Sequence, residues 1–372
     1  MSSEDNKFKE TEIGKIPEDW STAKIGNISA MNESTITNNF DYEEIEYLDT
    51  SSAKEGKIIE TTMIKLIDAP IRARRKLKEN DILISTVRPN QKHYTFIKKC
   101  KDNMIASTGF VVISPKNIVP RFLYYYLTND KYTFFLSSIA ESHTSTYPSF
   151  TPDIIENSII PIPPLLEQKA IAKVLSDLDD KIELNNEMNK ILEEIGQALF
   201  KRWFIDFEFP DENGDPYRSS GGEMVYSEEL GKEIPEGWEV KKIIDLPLTV
   251  TDYVANGGFA DLRKNVKLYD TLNYALFVRN VDLKVDFLNK RVYVDKHSYE
   301  YLYKTKLFGG ELIISNVGDV GSIFLCPYFE FPMTLGNNII MLKSENLNNF
   351  LYYFFKSSLG QGLLRSITSW SA

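Results

Sequence analysis

The chain partly repeats itself, and this repeat constrains its fold more than any other feature. Three segments return in the same order: IPEDW at residues 16–20 as IPEGW at 234–238, LKENDILIS at 77–85 as LFGGELIIS at 307–315, and FLYY at 122–125 as FLYY at 350–353. The offset between the copies changes by only about a dozen residues, which indicates a duplicated unit of about 150 residues rather than a solenoid of short repeats.

Each copy has the pattern of a mixed α and β unit. Short apolar runs at residues 81–87 and 109–114 are closed by turn residues and predict strands, and a helix is expected directly after Pro120. The second copy repeats this plan at residues 311–315, 338–342 and 350–355. We therefore predict an α+β fold, in which two related mixed α/β domains are joined by a long helix.

The joining helix is predicted from the longest helix-like run of the sequence, which begins after Pro163 and Pro164. The expected boundaries are a first domain at residues 1–164, a helical spacer at 165–208 and a second domain at 209–372. At about 1.5 Å per residue, residues 165–203 would span roughly 58 Å. A helix of that length would separate the two domains.

Apolar residues recur along this helix at heptad spacing, as in a coiled-coil seam. The predicted partner-helix seam consists of Ile171, Val174, Leu178, Asn185, Met188, Leu192, Ile195 and Leu199. A polar residue such as Asn185 in a seam favours one register and one partner at a cost in stability. The alternative is an ordinary amphipathic helix that packs on a core.

Charge is distributed unevenly along the chain, whose net charge is −10. Residues 65–101 contain eleven Lys or Arg against three Asp or Glu, and residues 263–306 contain ten against five. Residues 165–212 have the opposite charge balance, with six basic and twelve acidic residues. Phosphate binding depends on local rather than net charge, so two basic regions on either side of an acidic spacer suit a nucleic-acid partner. The alternative is that these charges are solvated surface residues without a partner role.

Several classes of protein are disfavoured. No apolar run approaches the roughly 20 residues of a membrane helix, and no signal peptide is visible. The two cysteines lie far apart in the sequence, so a disulfide framework is not expected and a reducing cytoplasm fits best. The two cysteines and three histidines lack metal-ligand spacing, and no metal site is expected. Nucleotide-hydrolysis, metalloprotease and hydrolase motifs do not occur either. We therefore expect no catalytic residues.

The repeat and the helix together resemble a known family. Two IPxxW segments and a PxPPLxEQKxIAxxL helix are similar to those of the specificity subunits of type I restriction-modification systems. The matching residues are Ile16, Pro17, Trp20, Ile234, Pro235 and Trp238, and in the helix Pro161, Pro163, Pro164, Leu165, Glu167, Gln168, Lys169, Ile171, Ala172 and Leu175. The runs at residues 84–90 and 106–110 also resemble recurring segments of that family.

The resemblance implies a DNA-recognition subunit without catalysis of its own. Each domain would read one half of a split DNA site, and the helical region would dock methyltransferase subunits and, in the full system, a restriction and translocase subunit. S-adenosylmethionine, and ATP with Mg²⁺, would be bound by those partners, and this chain would hold no cofactor.

The family also has a second conserved helix after its second recognition domain. Aligned at the offset of 228, the present sequence ends near the counterpart of Thr144, so the second domain is expected to be incomplete and its distal helix absent. The alternative function is therefore an assembly scaffold that self-associates through the central helix and reads DNA with its first domain only.

Candidate DNA contacts follow from side-chain chemistry. Arg and Lys suit phosphates, whereas Arg, Asn and Gln also pair with base edges in the major groove. The candidates are Arg72, Arg74, Arg75, Lys76, Lys78, Arg88, Asn90, Gln91, His93, Ser142, His143, Thr144, Ser145, Thr146 and Tyr147 in the first domain, and Asn316 and Asn337 in the second. Trp20 and Trp238 are expected to be packing anchors where each domain meets the helix.

Overall fold

A computed structural model of the chain describes residues 8–37, 40–143, 146–287 and 290–367. The chain divides into two compact units, Met1–Asn186 and Glu187–Ala372. Both contain strands and helices, and a long helix joins them, which confirms the predicted fold class. The boundaries 1–164, 165–208 and 209–372 stay a prediction.

The first unit contains fourteen strands among its described residues. They are β1 (Phe8–Thr11), β2 (Gly14–Pro17), β3 (Ser21–Lys24), β4 (Ser29–Met31), β5 (Glu44–Leu48), β6 (Ala53–Lys54), β7 (Lys57–Ile58), β8 (Thr62–Lys65), β9 (Ala73–Lys76), β10 (Ile82–Ser85), β11 (Tyr94–Phe96), β12 (Met104–Ser107), β13 (Phe110–Pro115) and β14 (Ile159–Ile162). The helices are α1 (Ile25–Ile28), α2 (Pro120–Thr128), α3 (Asp130–His143) and α4 (Pro152–Glu156). The strands predicted at residues 81–87 and 109–114 and the helix after Pro120 are thereby confirmed.

Two four-stranded sheets form the body of the first unit, in the orders β11-β10-β13-β4 and β8-β5-β12-β9. Alternate residues of a strand point to opposite faces. Ile82 and Ile84 of β10 therefore pack with α2 and α3, whereas Leu83 packs with Leu48 and Met104 between the two sheets. Since both faces of β10 and β13 are covered, their sequences are continuous apolar runs rather than alternating ones.

The long helix α5 (Leu165–Phe200) follows β14 and continues into a π-helical turn at Lys201–Ile205. Within the first unit it is fixed at its start, where Gln168 accepts a hydrogen bond from the Val119 amide (3.0 Å) and Ala172 is buried. Trp20 of the first IPxxW segment donates from Nε1 to Glu167 (3.0 Å). The helical region thus continues past α5 to Ile205. Trp20 contacts the start of α5, where the sequence predicts an anchor.

The second unit contains eleven strands and five helices among its described residues. The strands are β15 (Met224–Ser227), β16 (Lys232–Pro235), β17 (Thr249–Asp252), β18 (Leu268–Tyr269), β19 (Ala275–Val278), β20 (Tyr293–Val294), β21 (Lys306–Leu307), β22 (Leu312–Ser315), β23 (Ile323–Leu325), β24 (Met333–Leu335) and β25 (Ile339–Lys343). The helices are α6 (Phe259–Asn265), α7 (Asn280–Lys284), α8 (Lys296–Tyr301), α9 (Asn348–Lys356) and α10 (Ser358–Ile367). The strands predicted at residues 311–315 and 338–342 and the helix at 350–355 are confirmed.

The layers of the first unit recur in the second. Its sheets have the orders β17-β25-β22-β23 and β18-β20-β19-β24-β21. Leu312 and Ile314 pack with the helix residue Leu351, whereas Ile313 packs between the sheets with Val278 and Leu335. The second tryptophan, Trp238, contacts the rings of Phe204, Phe207 and Phe209 at the end of the helical region, as predicted for an anchor.

Matching hydrogen bonds confirm that the two units are copies of one plan. The hydroxyl of Ser85 donates to the Val87 carbonyl (3.0 Å), and that of Ser315 donates to the Val317 carbonyl (3.3 Å). Each pair occupies the turn that follows the matching central strand, β10 in one unit and β22 in the other. The repeat therefore extends from sequence to local geometry.

Candidate nucleic-acid interface

The turn that follows β12 ties three segments of the first unit together. The amide of Thr108 donates to the Arg72 carbonyl (2.8 Å), and the carbonyl of Gly109 accepts from both the amide (2.9 Å) and the hydroxyl (3.0 Å) of Thr86. The segment before β9, the turn after β12 and the loop after β10 are therefore neighbours. Candidates that lie far apart in the sequence are brought to one region.

Arg88 lies on the loop after β10 and has a left-handed backbone conformation, with φ 46°. Its amide donates to the Pro148 carbonyl (2.9 Å), and Val87 forms a bridge with Ser149. These contacts place the Arg88 guanidinium 5.7 Å from the centre of the Tyr147 ring. Two candidate loops that are separate in the sequence therefore meet.

The remaining candidates of the first loop have different surroundings. Asn90 and Gln91 are exposed on the short 3₁₀ turn Pro89–Gln91. His93 is half-buried, and its Nδ1 lies 2.7 Å from the Ala53 carbonyl, so one ring nitrogen has a structural partner. Asn90 and Gln91 are the better placed of the three for contact with a ligand.

The second candidate loop begins at the end of α3. Ser142 donates to the Ile139 carbonyl (2.7 Å), and Thr146 and Tyr147 are exposed. His143 is the last residue of α3, but its side chain is not described. Thr144 and Ser145 lie outside the described residues.

The basic segment around β9 divides into paired and unpaired side chains. Arg72 forms an ion pair with Asp49 (3.0 Å) and Lys78 forms one with Glu33 (2.8 Å). Arg74 and Lys76 are exposed and have no carboxylate partner within 4.0 Å among the described residues. The predicted five-residue basic patch is therefore partly neutralised by its own chain.

Arg75 differs from its neighbours because it points to the other face of β9. It is half-buried, and burial lowers the pKa of its guanidinium. Its Nε is buried without a hydrogen-bond partner in the part of the chain described here. Among the five basic candidates, Arg74 and Lys76 are thus the best placed to bind phosphate.

Glu33 lies between two lysines and shapes the charge of this region. The ammonium groups of Lys78 (2.8 Å) and Lys116 (2.9 Å) both bind its carboxylate. Their hydrogen bonds lower the pKa of Glu33 to about 2. Glu33 is therefore ionised at neutral pH and offsets positive charge that the sequence alone assigns to the patch.

The second unit has the counterpart of the turn contact. The amide of Asn316 donates to the Asn338 carbonyl (3.2 Å), as Thr86 does to Gly109 in the first unit. Asn316, Asn337 and Asn338 are exposed, and Asn280 donates from Nδ2 to the Ser315 hydroxyl (2.9 Å) beside them. The two predicted candidates, Asn316 and Asn337, therefore lie in one amide-rich cluster.

Several further polar residues lie in these two regions. Thr86, Thr108, Asn280 and Asn338 are not among the predicted contacts, although the first two lie in the runs that carry the family resemblance. The signal that could have found Asn338 is the repeat, since it is the counterpart of Gly109. No sequence signal indicates Asn280, because it is the pairing of β19 with β24 that brings this residue to the cluster.

The predicted seam of α5 is largely uncovered. The exposed fraction is 55% at Leu178, 52% at Met188 and 57% at Leu192, and Val174, Asn185, Ile195 and Leu199 are also exposed. Ile171, at the start, is partly buried against the core of the first unit. The role of these residues in binding a partner helix stays a prediction.

Among the described residues, no group of three or more His, Cys, Asp or Glu is arranged to hold a metal ion. In the same part of the chain, no helix is long and apolar enough to cross a membrane.

Comparison with known proteins gives a consistent result. The family model described as "Type I restriction modification DNA specificity domain" matches residues 17–194. The type I restriction enzyme MjaIX specificity subunit of Methanocaldococcus jannaschii is 30% identical over 373 residues, which cover 94% of this chain and 78% of that relative. The HindI specificity subunit of Haemophilus influenzae is 37% identical over 195 residues, which cover 51% of this chain and 42% of that relative.

A crystal structure of the HsdS subunit from Thermoanaerobacter tengcongensis is 19% identical, with a TM-score of 0.41, and the match covers 95% of this chain and 84% of that one. The relative from M. jannaschii is similar over nearly the whole of this chain, and the DNA specificity domain matches its first unit and most of α5. The chain therefore belongs to the specificity subunits of type I restriction-modification systems, the DNA-recognition subunits of those systems.

Proposed function

We propose that this chain reads a split DNA sequence, one part with each unit, as the recognition subunit of a methyltransferase complex. The observation that carries the proposal is the repeated turn, Thr86 with Gly109 in the first unit and Asn316 with Asn338 in the second. Both turns lie beside exposed side chains that suit base edges: Arg88, Asn90 and Gln91 in one unit, and Asn316 and Asn337 in the other.

In this proposal, Arg74 and Lys76 bind phosphates and fix the register of the first unit on the duplex. Phosphate contacts carry no sequence information themselves. Arg88 and the amides of Asn90 and Gln91 then supply direct contacts to bases. Tyr147 holds the Arg88 guanidinium before DNA arrives, so less side-chain freedom is lost on binding.

The proposed role of the chain includes no catalysis of its own. Methyl transfer to adenine belongs to partner subunits that bind S-adenosylmethionine, and ATP with Mg²⁺ belongs to a restriction and translocase partner. The exposed seam of α5 supports docking of such subunits, and the complex would operate in the cytoplasm. The same exposed seam also suits self-association, which is the second candidate: a scaffold that reads DNA with its first unit only.

Methylation mapping tests the proposal. The chain is co-expressed with a methyltransferase subunit of a type I system, and methylated adenines are located across the host genome. A motif with two unrelated halves at a fixed gap supports two reading units. A symmetric motif supports the scaffold, because two self-associated chains would each read DNA with the first unit. The absence of both a complex and methylation contradicts the proposal.

A further inference from the structure

The segment between β8 and β9 crosses the outer face of the first unit. These two strands are opposite edges of the sheet β8-β5-β12-β9, so residues 66–72 must pass over β5 and β12. Leu66 and Ala69 face inward and pack with Ile45 and Ile105. The residues between Leu66 and Ala69, and those at positions 70–72, consequently face solvent.

Two isoleucines of this segment are almost fully exposed, Ile67 at 90% and Ile71 at 87%. A single exposed apolar residue is ordinary on a protein surface and needs no explanation by itself. What distinguishes Ile71 is that its backbone is held in place. Arg74 donates from Nε to its carbonyl (3.0 Å), and the Ala73 amide donates to the Pro70 carbonyl (2.8 Å).

The surroundings of the two isoleucines differ in charge. Ile71 directly precedes Arg72, whose carbonyl binds the Thr108 amide in the candidate interface, and Arg74 lies beside it. Ile67 precedes Asp68 and lines a cleft in which three carboxylates, Asp41, Glu43 and Glu44, outnumber one lysine, Lys65. Negatively charged DNA would therefore approach Ile71 and avoid Ile67.

We propose that Ile71 is a specificity residue that contacts the 5-methyl group of a thymine in the major groove. An apolar side chain beside arginines is the chemistry that distinguishes thymine at the groove floor, because the methyl group is the one apolar feature that a base presents there. The assignment rests on the proposed function of DNA reading. The proposed contact of Ile71 is apolar, so it could not be found by searching for charged or hydrogen-bonding side chains.

The test uses the complex of this chain with its methyltransferase subunit and the DNA site found by methylation mapping. Each thymine of the half-site is replaced in turn by deoxyuridine, which lacks the 5-methyl group. At one position, this replacement should weaken binding by the wild-type complex about fourfold, the effect of losing one buried methyl group. Ile71→Ala should lose a similar factor on the thymine duplex and no longer respond to deoxyuridine at that position.

Two further variants sharpen the result. Ile71→Val keeps an apolar contact and should retain sensitivity to deoxyuridine, whereas Ile67→Ala removes an equally exposed isoleucine from acidic surroundings and should bind as the wild type does. The assignment of Ile71 is overturned if the Ile71→Ala complex has unchanged affinity or unchanged sensitivity to deoxyuridine. The proposed function of DNA reading would remain in that case. Loss of the methyltransferase subunit from the Ile71→Ala complex would instead identify a protein contact and also overturn it. A wild-type complex that binds no DNA overturns the proposed function itself.

Discussion

The guanidinium of Arg88 lies over the ring of Tyr147, 5.7 Å from its centre, although 58 residues separate the two in the chain. The contact exists because the Arg88 amide binds the Pro148 carbonyl and fixes one loop against the other. It gives a flexible arginine a preferred orientation on an exposed surface.

Replacement of Arg88 by alanine should weaken binding to the recognised site by about 1–3 kcal/mol and relax the choice of base at one position, since a bidentate contact is lost. Fluorescence anisotropy with the recognised duplex and single-base variants measures both effects. Tyr147→Phe keeps the ring beneath the guanidinium and serves as the control. If Arg88→Ala weakened all duplexes equally, Arg88 would bind phosphate rather than a base.

Replacement of Arg74 and Lys76 together should flatten the salt dependence of DNA binding. Each phosphate contact contributes about 0.9 to the slope of log affinity against log salt, so the double variant should lose about two such contributions. Lys78→Gln removes a lysine already bound to Glu33 and should change the slope less. A larger effect from Lys78→Gln than from the double variant would contradict the division of the patch.

The buried carboxylate of Asp81 should stabilise the first unit. It accepts hydrogen bonds from the Lys78 amide (2.9 Å) and the Ser114 hydroxyl (2.6 Å), and its counterpart Glu311 accepts from the Phe308 and Gly309 amides. Asp81→Ala leaves two donors without their acceptor and should lower the free energy of unfolding by about 1–3 kcal/mol. Urea titration followed by tryptophan fluorescence measures this loss. Glu79→Ala, at an exposed position beside it, should cost far less.

The ion pairs of Glu33 should make stability depend on pH. Its folded-state pKa of about 2 lies below the ordinary value of 4.5, so its contribution is present above about pH 4.5 and is lost as the pH falls towards 2. Lys78→Met combined with Lys116→Met removes both partners. The difference in melting temperature between wild type and this variant should therefore shrink from pH 6 to pH 3. A difference that stays constant would show that the two lysines act by packing and not through Glu33.

The exposed seam of α5 should be needed for assembly and not for folding. Leu178→Ser with Leu192→Ser should reduce recovery of the methyltransferase subunit in co-purification, because both side chains are more than half exposed within this chain and are free to be buried by a partner. The melting temperature of the isolated chain should change little. Lys190→Ser, elsewhere on the same helix, is the control; if it reduced recovery equally, the seam would not be the docking face.

Sequence patterns predicted the strands and helices that depend on residues within a single segment. The strand β10, the helix α2 after Pro120 and the long helix α5 each follow from residues within the segment itself. Ion pairs could not be predicted in this way. Asp49 meets Arg72 across 23 positions and Glu33 meets Lys78 across 45. The first contact depends on β5 and β9 lying in one sheet, and the second on the bridge between Thr35 and Arg75, so neither is encoded by neighbouring residues.

The arrangement of the candidate contacts could be predicted only in part, for the same physical reason. Arg88, Asn90 and Gln91 could be recognised because they follow a strand directly. The juxtaposition of Arg88 with Tyr147 depends on the bridge between Val87 and Ser149, which no local pattern encodes. The sequence therefore predicts the chemistry of this interface better than its geometry.

In the proposed function, each unit reads its own part of one DNA site. The most direct measurement is a pair of genome-wide methylation maps, one for Arg88→Ala in the first unit and one for Asn337→Ala in the second. Each substitution should relax the choice of bases in one half of the motif and leave the other half and the gap unchanged. Relaxation of both halves by Arg88→Ala alone, or of the same half by both substitutions, would contradict it.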